Sequence, residues 1–220
     1  MKNRIKILCV IGLMAIAPSS AQVFNDDDIL QANPTVSQSN SQVLASPKSA
    51  NTPSDRTTNV YVSYRPGKIG DMDFNGVELG YRRSVLLSSS VPIYIEMGTN
   101  AQYWFASEDG TKTRMFSLEV LPLGFSYKLE ISDNVALSPH AGLSVRANMW
   151  GRMKNDWFGS IKLFDEDGAN WRFWQLAWNV GLDLQINNCA YIGVGYGSDL
   201  QKMVGDERLK SFAVTLGIIL

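Results

Sequence analysis

The chain has 220 residues, a formal net charge of −1 and 45% hydrophobic residues, which suit one sizeable domain with a tail. The charge balance excludes a basic nucleic-acid-binding protein, and two cysteines exclude a disulfide-rich scaffold. No apolar run reaches the roughly 18 residues of a membrane-spanning helix. A transmembrane barrel stays open, because its polar lumen would also bring the mean hydropathy close to zero.

The first 21 residues have the three parts of a secretory signal peptide. Three basic residues stand among the first six, an apolar stretch follows at 7–17, and small residues at 19–21 fit a cleavage site. We predict cleavage after Ala21, an uncleaved anchor being the alternative. Removal of the three basic residues changes the formal net charge from −1 to −4 and leaves Cys189 as the single cysteine, which excludes an intramolecular disulfide.

Residues 22–57 are rich in Ser, Asn, Gln, Asp and Pro and poor in aromatic residues. Such a composition buries too little apolar surface to offset the entropy lost on ordering, so we predict a disordered periplasmic tail. From Thr58 onwards, alternating segments and turn signals follow one another to the last residue. They predict eight strands, near 58–66, 75–84, 91–106, 113–129, 135–150, 171–186, 189–198 and 209–220.

The connections between these strands differ at the two ends. Those after the second, fourth and sixth strands are short, whereas those after the first, third, fifth and seventh are longer and polar. An even number of antiparallel strands with short turns on one side and long loops on the other is typical of outer-membrane barrels. We therefore predict an all-β fold over residues 58–220, an eight-stranded antiparallel up-and-down transmembrane β-barrel.

The sixth predicted strand alternates without interruption. From Trp174 to Ile186 the even positions are large and apolar, while the odd positions are Gln, Ala, Asn, Gly, Asp and Gln. A soluble sandwich would favour long charged side chains on its polar face, whereas this face is small and mixed. Small polar side chains suit the interior of a narrow barrel, so the apolar face is predicted to contact lipid.

The fourth predicted strand changes parity once. Phe116 and Leu118 lie on one parity with Val120, whereas Leu123 and the apolar residues after it lie on the other. One extra residue near Val120–Pro122 would restore the register, and a proline is tolerated in such an irregularity. The sequence therefore predicts a β-bulge there.

Charged residues fall on the polar parity of several predicted strands. Because buried charges require partners, we hypothesise a charge network that fills the barrel interior. The alternative is that these charges are hydrated in a wet lumen. The members of the predicted network are Glu78, Arg82, Glu96, Glu119, Arg146 and Asp183.

Aromatic residues gather near the loop ends of the predicted strands, where an outer interfacial girdle is expected. This predicted girdle comprises Tyr103, Trp104, Phe105, Trp150, Trp171, Phe173, Trp174 and Trp178. In the longest loop, Trp157 and Phe158 either pack onto the barrel rim or form a candidate binding surface. Packing is the favoured interpretation.

Three short motifs bear on chemistry. Residues 71–76 begin like a calcium-binding loop, but Arg82 stands where that loop needs a Glu, so we predict a hairpin turn at Asn75-Gly76. The acidic stretch 165–168 could attract a divalent cation. His140, the single histidine, shares the lumen parity with Ser138, and this pair is the alternative catalytic constellation. We predict no catalytic residue, no cofactor and no metal.

Three segments carry a family resemblance: residues 118–123 (LEVLPL), residues 127–128 (YK) and residues 138–151 (SPHAGLSVRANMWG). The chain resembles the eight-stranded outer-membrane β-barrel domain proteins of Gram-negative bacteria, the OmpA/OmpX-like barrels. Leu121 is an extra residue in that pattern, and Leu220 replaces the aromatic residue with which such proteins often end. The resemblance implies an outer-membrane location. The expected partners are outer-membrane lipids, lipopolysaccharide and the barrel-assembly machinery, with no nucleic acid.

We expect a monomeric, non-enzymatic protein with a structural or surface-interaction role carried by its long loops. Three alternatives remain. The chain could be a narrow, porin-like pore, an outer-membrane lipid-modifying enzyme, or a soluble barrel of lipocalin type. The last alternative requires an apolar interior and a helix after the barrel.

Overall fold

The structure of the chain is a computed structural model that describes residues 56–88, 91–157, 159–165 and 169–220. The predicted signal peptide, residues 1–21, lies outside the described residues. So does the predicted tail, residues 22–57, apart from its last two residues, which already belong to the first strand. Within these ranges no helix is long and apolar enough to cross a membrane.

Ten strands make up most of the described chain. They are β1 (Arg56–Ile69), β2 (Met72–Ser88), β3 (Val91–Glu108), β4 (Thr111–Tyr127), β5 (Leu129–Ser132), β6 (Val135–Asn155), β7 (Gly159–Lys162), β8 (Trp174–Ile186), β9 (Ala190–Asp199) and β10 (Leu209–Ile219).

Eight of these strands form a closed antiparallel ring. Each pairs with the next in the order β1, β2, β3, β4, β6, β8, β9 and β10, and β10 pairs back with β1. β5 continues β4 after Lys128 and also pairs with β6. β7 lies in the longest connection and pairs with β6 as well. The predicted eight-stranded antiparallel up-and-down barrel is therefore confirmed.

The two faces of β8 are those that the sequence predicted. Trp174, Leu182 and Ile186 point outward and are 36–39% exposed, whereas Gln175 and Asp183 are buried in the interior. Outward-facing apolar residues are likewise exposed on the other wall strands. Because the middle of the barrel is polar inside and apolar outside, the lipocalin-type alternative is wrong.

The predicted bulge in β4 is confirmed. Between Leu121 and Gly124, β4 contains one residue more than the facing segment of β3. The same extra residue appears against β6, where Val120 and Leu123 face positions only two apart. The bulge moves the inward parity from the odd to the even residues of β4, so both halves of the strand keep their polar residues inside.

Two of the four connections at the loop end, which we call the outer end, are tight hairpins and not the longer loops that the sequence predicted. β1 and β2 continue to a turn at Gly70, whose φ of 60° suits glycine. The predicted turn at Asn75-Gly76 is wrong, because these residues lie inside β2. Extending the hairpin buries Phe74, which outweighs the local turn preference of Asn-Gly. β3 and β4 similarly continue to a turn at Asp109–Gly110.

An apolar cluster, which we call the outer core, lies between these extended hairpins and the two long connections at the outer end. It joins inward residues of five wall strands to residues of both long connections. Its members are Ile69, Phe74, Trp104, Ala106, Met115, Leu163, Trp171, Met203 and Leu209.

The outer core corrects part of the predicted aromatic girdle. Trp104 and Trp171 are 1% and 7% exposed within this core, so they do not belong to an outward girdle. Trp171 also precedes β8, which begins at Trp174 and not at residue 171. Phe105, Trp150 and Trp174 do face outward near the strand ends, as predicted.

The narrow interior leaves no room for an added side chain at Gly80. A Cβ built there would lie 2.2 Å from Cζ of Tyr61. We expect Gly80→Val to lower the free energy of unfolding in detergent by about 1–3 kcal/mol, as overpacking does. Gly195→Ala is the control, since its Cβ would stay 3.3 Å or more from its neighbours. Equal stability of Gly80→Val and Gly195→Ala would contradict the tight packing inferred here.

Candidate functional site

Arg82 of β2 spans the barrel interior. Its Nη1 lies 3.4 Å from Oε2 of Glu96 on β3, and its Nη2 lies 2.5 Å from Oδ2 of Asp183 on β8. β2 and β8 are four places apart in a ring of eight strands, so this contact crosses the full width of the lumen. Ser84 also donates a hydrogen bond to Glu96 at 3.2 Å. One cation thus serves two carboxylates, one on the neighbouring strand and one across the lumen.

A second ion pair lies nearer the outer end. Nη1 of Arg65 on β1 donates to Oε2 of Glu78 on β2, and its Nη2 donates to Oγ of Ser211 on β10 at 3.0 Å. The guanidinium carbon of Arg65 stands 5.8 Å from the ring centroid of Trp104, which belongs to the outer core. This arginine therefore connects the charged interior to the apolar cluster above it.

The third pair joins Arg146 of β6 to Asp199 at the end of β9. Nη2 of Arg146 lies 2.7 Å from Oδ1 and 2.6 Å from Oδ2 of Asp199. The two residues are only 4% and 1% exposed. At such burial each charge depends on the other, because neither can recover its hydration.

Glu119 is held by amide side chains. Nε2 of Gln102 lies 3.1 Å from both Oε2 of Glu119 and Oε2 of Glu78, and Nδ2 of Asn100 lies 3.4 Å from Oε1 of Glu119. Nε1 of Trp104 in turn donates to Oε1 of Gln102 at 3.1 Å. This chain of hydrogen bonds links the two carboxylates to the outer core.

All six residues of the predicted charge network lie on the inner face and are largely buried, but they do not form a single set of ion pairs. Arg82, Glu96 and Asp183 come together. Glu78 and Arg146 instead pair with Arg65 and Asp199, which the sequence reasoning missed.

A signal for both missed residues was present in the sequence. Arg65 shares its parity with the inward Ser63, and Asp199 shares its parity with Gly193, Gly195 and Gly197. Each lies close to the end of a predicted strand. Carrying the alternation to those ends would therefore have found both residues.

A cavity of about 90 Å³ is lined by residues of both the Arg82 cluster and the Arg65 pair. Tyr61, His140 and Tyr191 are among the residues that line it. Its volume is sufficient for a few water molecules, so the interior combines direct ion pairs with room for hydration. The paired and the hydrated interpretation of the interior charges thus both apply, because the same charged side chains form ion pairs and border a cavity that has room for water.

His140 and Ser138 lie in the interior near the short-turn end of β6. Nδ1 of His140 is 3.5 Å from Oδ2 of Asp183, which is too long for a well-formed hydrogen bond. Oγ of Ser138 accepts a hydrogen bond from Nε2 of Gln185 at 3.0 Å. Ser138 is thus bonded to a residue other than the histidine that would have to activate it as a nucleophile.

The predicted loop surface is described only in part. Trp157 is 94% exposed and does not pack onto the barrel rim, which overturns the favoured packing interpretation for this residue. Phe158 lies outside the described residues. In the last loop, Lys202 donates a hydrogen bond to the carboxylate of Asp206, and this contact lowers the pKa of Asp206.

The two acidic motifs hold cations of the chain itself. Asp73 lies 3.2 Å from Nζ of Lys68, and Asp165 lies 2.8 Å from Nζ of Lys162. Residues 166–168 are outside the described ranges. Across the part of the chain that the structure describes, no group of three or more His, Cys, Asp or Glu residues could hold a metal ion.

No model of a protein family matches the chain, and no curated protein matches its sequence. Several solved structures are similar to it. Ail, the attachment invasion locus protein of Yersinia pestis, solved in complex with the heparin analogue sucrose octasulfate, is 12% identical with a TM-score of 0.46. That match covers 75% of this chain and 97% of Ail.

Two further solved structures show similar values. The outer-membrane enzyme PagL is 16% identical with a TM-score of 0.48, and the match covers 72% of this chain and 98% of PagL. Neisserial surface protein A is 9% identical with a TM-score of 0.46, over 75% of this chain and 97% of that protein. The barrel assignment of this chain rests on its own strand pairing.

Proposed function

We propose that this chain is an eight-stranded outer-membrane β-barrel protein that acts through its outer surface and neither conducts solutes nor catalyses a reaction. The observation that carries this proposal is a closed interior beneath an apolar exterior. A protein of this kind anchors itself in the membrane by its wall and presents its outer end to the surroundings.

The wall supports the membrane location. Residues such as Leu79, Leu143 and Leu216 face outward with 50–62% of their surface exposed. A closed ring pairs the backbone groups of each wall strand with those of its neighbours, and this is the condition for β-structure in hydrocarbon. Water would be a poor solvent for so much apolar surface, whereas lipid tails are a good one.

The interior supports a role without conduction. Three layers of side chains occupy the lumen from the short-turn end to the outer end. They are the Arg82 cluster, then the Arg65 and Arg146 pairs, and last the outer core. An eight-stranded barrel has an interior just wide enough for side chains to fill. The outer core places apolar side chains at the end where a pore would need a polar mouth.

We therefore expect no stepwise conductance when the refolded protein is inserted into a planar bilayer. A large porin, measured in the same bilayer system, is the positive control. Steady, reproducible single-channel steps from the wild-type protein would establish the pore alternative and refute this part of the proposal.

The orientation can be tested with two cysteines at opposite ends. Native Cys189 is exposed at a short turn, and Trp157 is exposed in the longest outer loop. In a Cys189→Ser background, we expect Trp157→Cys to react with a membrane-impermeant maleimide in intact cells. Wild-type Cys189 should react only after the outer membrane is permeabilised. The reverse labelling pattern would contradict the proposed orientation. If neither cysteine were labelled in an outer-membrane fraction, the proposed location would be contradicted.

The absence of catalysis is proposed from the position of the single histidine. His140 faces the lumen near the short-turn end, where the outer leaflet is out of reach, and Ser138 is bonded to Gln185. We expect His140→Ala to leave the intact lipid A of expressing cells unchanged when compared by mass spectrometry. A modified lipid A species that disappears in this variant would identify the chain as a lipid-modifying enzyme.

A further inference from the structure

The outward faces of β3, β4, β6 and β7 carry three rows of side chains in register at the outer end. Each row runs across neighbouring strands through paired positions. The row nearest the middle of the barrel is aromatic, with Tyr103, Phe116 and Trp150. The next row contains Phe105, Arg114, Arg152 and Lys162. The row nearest the end contains Ser107, Lys112, Lys154 and Ser160.

These residues lie on the outer face, because their chain neighbours lie inside. Thr113, Met115 and Gly151 are buried, whereas the basic residues beside them are exposed. Successive rows are two residues apart, which corresponds to roughly 7 Å along a strand. The rows therefore form a compact patch, which we call the basic face and define by Lys112, Arg114, Arg152, Lys154 and Lys162.

The pairing within the basic face is unfavourable for the protein alone. Arg114 lies directly opposite Arg152, and Lys112 lies directly opposite Lys154. Like charges at directly opposed positions destabilise a sheet. Binding of an anionic ligand therefore explains the opposed cations more readily than a contribution to the stability of the β4–β6 pair does.

The basic residues of this face have few ion-pair partners among the described residues. Lys162 pairs with Asp165 at 2.8 Å, but none of the other four basic residues forms an ion pair within the described part of the chain. The other outward lysine pair at this end, Lys68 opposite Lys210, differs in this respect. There the carboxylate of Asp73 lies 3.2 Å from Lys68.

The position of the basic face indicates the kind of ligand. Aromatic girdles of membrane barrels lie at the level of the lipid head groups, so the cations above Tyr103, Phe116 and Trp150 lie at the level of head-group phosphates. Below the aromatic row, Leu118 and Leu143 continue the apolar wall. The surface is therefore cationic above, aromatic at the boundary and apolar below.

We infer that the basic face binds the phosphate groups of a phosphorylated glycolipid of the outer leaflet, whose acyl chains lie along the wall beneath. The inference rests on the proposed membrane location and deepens it by naming one lipid class and its site. Arg114 and Arg152 supply planar donors that suit phosphate oxygens, and the lysines add charge around them. The ligand neutralises the opposed cations, so binding also removes the repulsion between β4 and β6.

The test uses the mature protein in detergent and native mass spectrometry with three probes. These are lipid A carrying two phosphates, the same lipid after removal of its phosphates, and inorganic phosphate. We expect one bisphosphorylated lipid A per barrel. The variant Lys112→Gln/Arg114→Gln/Arg152→Gln/Lys154→Gln should bind it at least about tenfold more weakly, since each cation near a membrane surface contributes measurably to anionic lipid binding.

The matched pair of variants separates a site from general charge. Lys112→Gln/Lys154→Gln removes two lysines from the basic face, and Lys68→Gln/Lys210→Gln removes two lysines from the other pair at the same end. The first should weaken lipid binding by about threefold or more, while the second should change it less than about twofold. Equal losses in the two variants would overturn the inference.

The probes separate the possible sources of phosphate. If dephosphorylated lipid A bound as tightly as the bisphosphorylated form, phosphate would not be the group recognised. Displacement of the lipid by millimolar inorganic phosphate would indicate a site for a free anion. Either result overturns the inference. Heat-modifiable gel migration verifies that each variant is folded. Because the cysteine labelling tests the membrane location separately, correct labelling without selective lipid binding refutes only the basic face.

Discussion

Replacement of Arg82 by Ala is expected to lower the free energy of unfolding at the upper end of the range of about 3–5 kcal/mol that is typical when one member of a buried ion pair is removed. The reason is that Arg82 serves Glu96 and Asp183 together, so its removal leaves two buried carboxylates without their cation. The measurement is urea-induced unfolding of the refolded barrel in detergent, followed by tryptophan fluorescence and by heat-modifiable gel migration.

Arg83→Ala is the matched control for this experiment. Arg83 is the next residue along β2 and points to the opposite face, and its replacement should stay within about 0.5 kcal/mol, as is usual for surface positions. A triple variant, Arg82→Ala/Glu96→Gln/Asp183→Asn, removes the charges together and should recover much of the loss. Arg82→Ala with wild-type stability would mean that hydration alone satisfies the two carboxylates.

Disruption of the Arg146–Asp199 pair should have the next largest effect. Arg146→Ala leaves Asp199, which is 1% exposed, as an uncompensated buried charge, and we expect a loss of about 3–5 kcal/mol. The double variant Arg146→Met/Asp199→Leu replaces the pair by apolar side chains of similar size. Such exchanges are often neutral or stabilising, so most of the loss should be recovered.

The control for this pair is Lys68→Ala, which breaks an ion pair between two exposed side chains, Lys68 and Asp73. Exposed pairs contribute little, so unfolding should be nearly unchanged. The thermal or urea-induced unfolding of all four proteins in the same detergent provides the comparison. If Arg146→Ala and Lys68→Ala were equally harmless, Arg146 and Asp199 would not depend on each other.

The alternation of polar and apolar residues predicted the barrel because its period is set by backbone geometry, not by distant contacts. For the same reason it placed Glu78, Arg82 and Asp183 inside. It even located the bulge near Pro122, since a single inserted residue reverses every face that follows. These features are local, so the sequence of a single strand is sufficient to predict them.

Features that depend on non-local packing were predicted poorly. Asn75-Gly76 is a strong hairpin signal, yet the two strands continue past it because Phe74 gains a buried position beside residues far away in the chain. Trp104 was assigned to the girdle from its place near a strand end, although its even position in β3 matches the inward Asn100 and Gln102. Parity was the better guide at that position.

The pairing partners could not be predicted from the sequence alone. Arg82 and Asp183 are joined because β2 and β8 face each other across the ring, and this distance depends on strand tilt and register. The basic face likewise needed the register between β4 and β6, since a bulge next to Trp150 decides which basic residues stand opposite one another.

The outer core also bears on how the ring stays shut. The ring closes where β1 pairs with β10. The paired residues of these two strands are about as far apart in the chain as the barrel allows, so this contact costs the most chain entropy to form. The ladder there runs to Tyr64 opposite Val214 and resumes at Gly67 opposite Ser211, on either side of Pro66, which has no N–H to donate. Immediately above, Ile69 faces Leu209, and both are buried in the outer core. The contact between β1 and β10 is thus continued at the outer end by apolar packing, so sideways separation of these two strands there would also have to expose Ile69 and Leu209 to water.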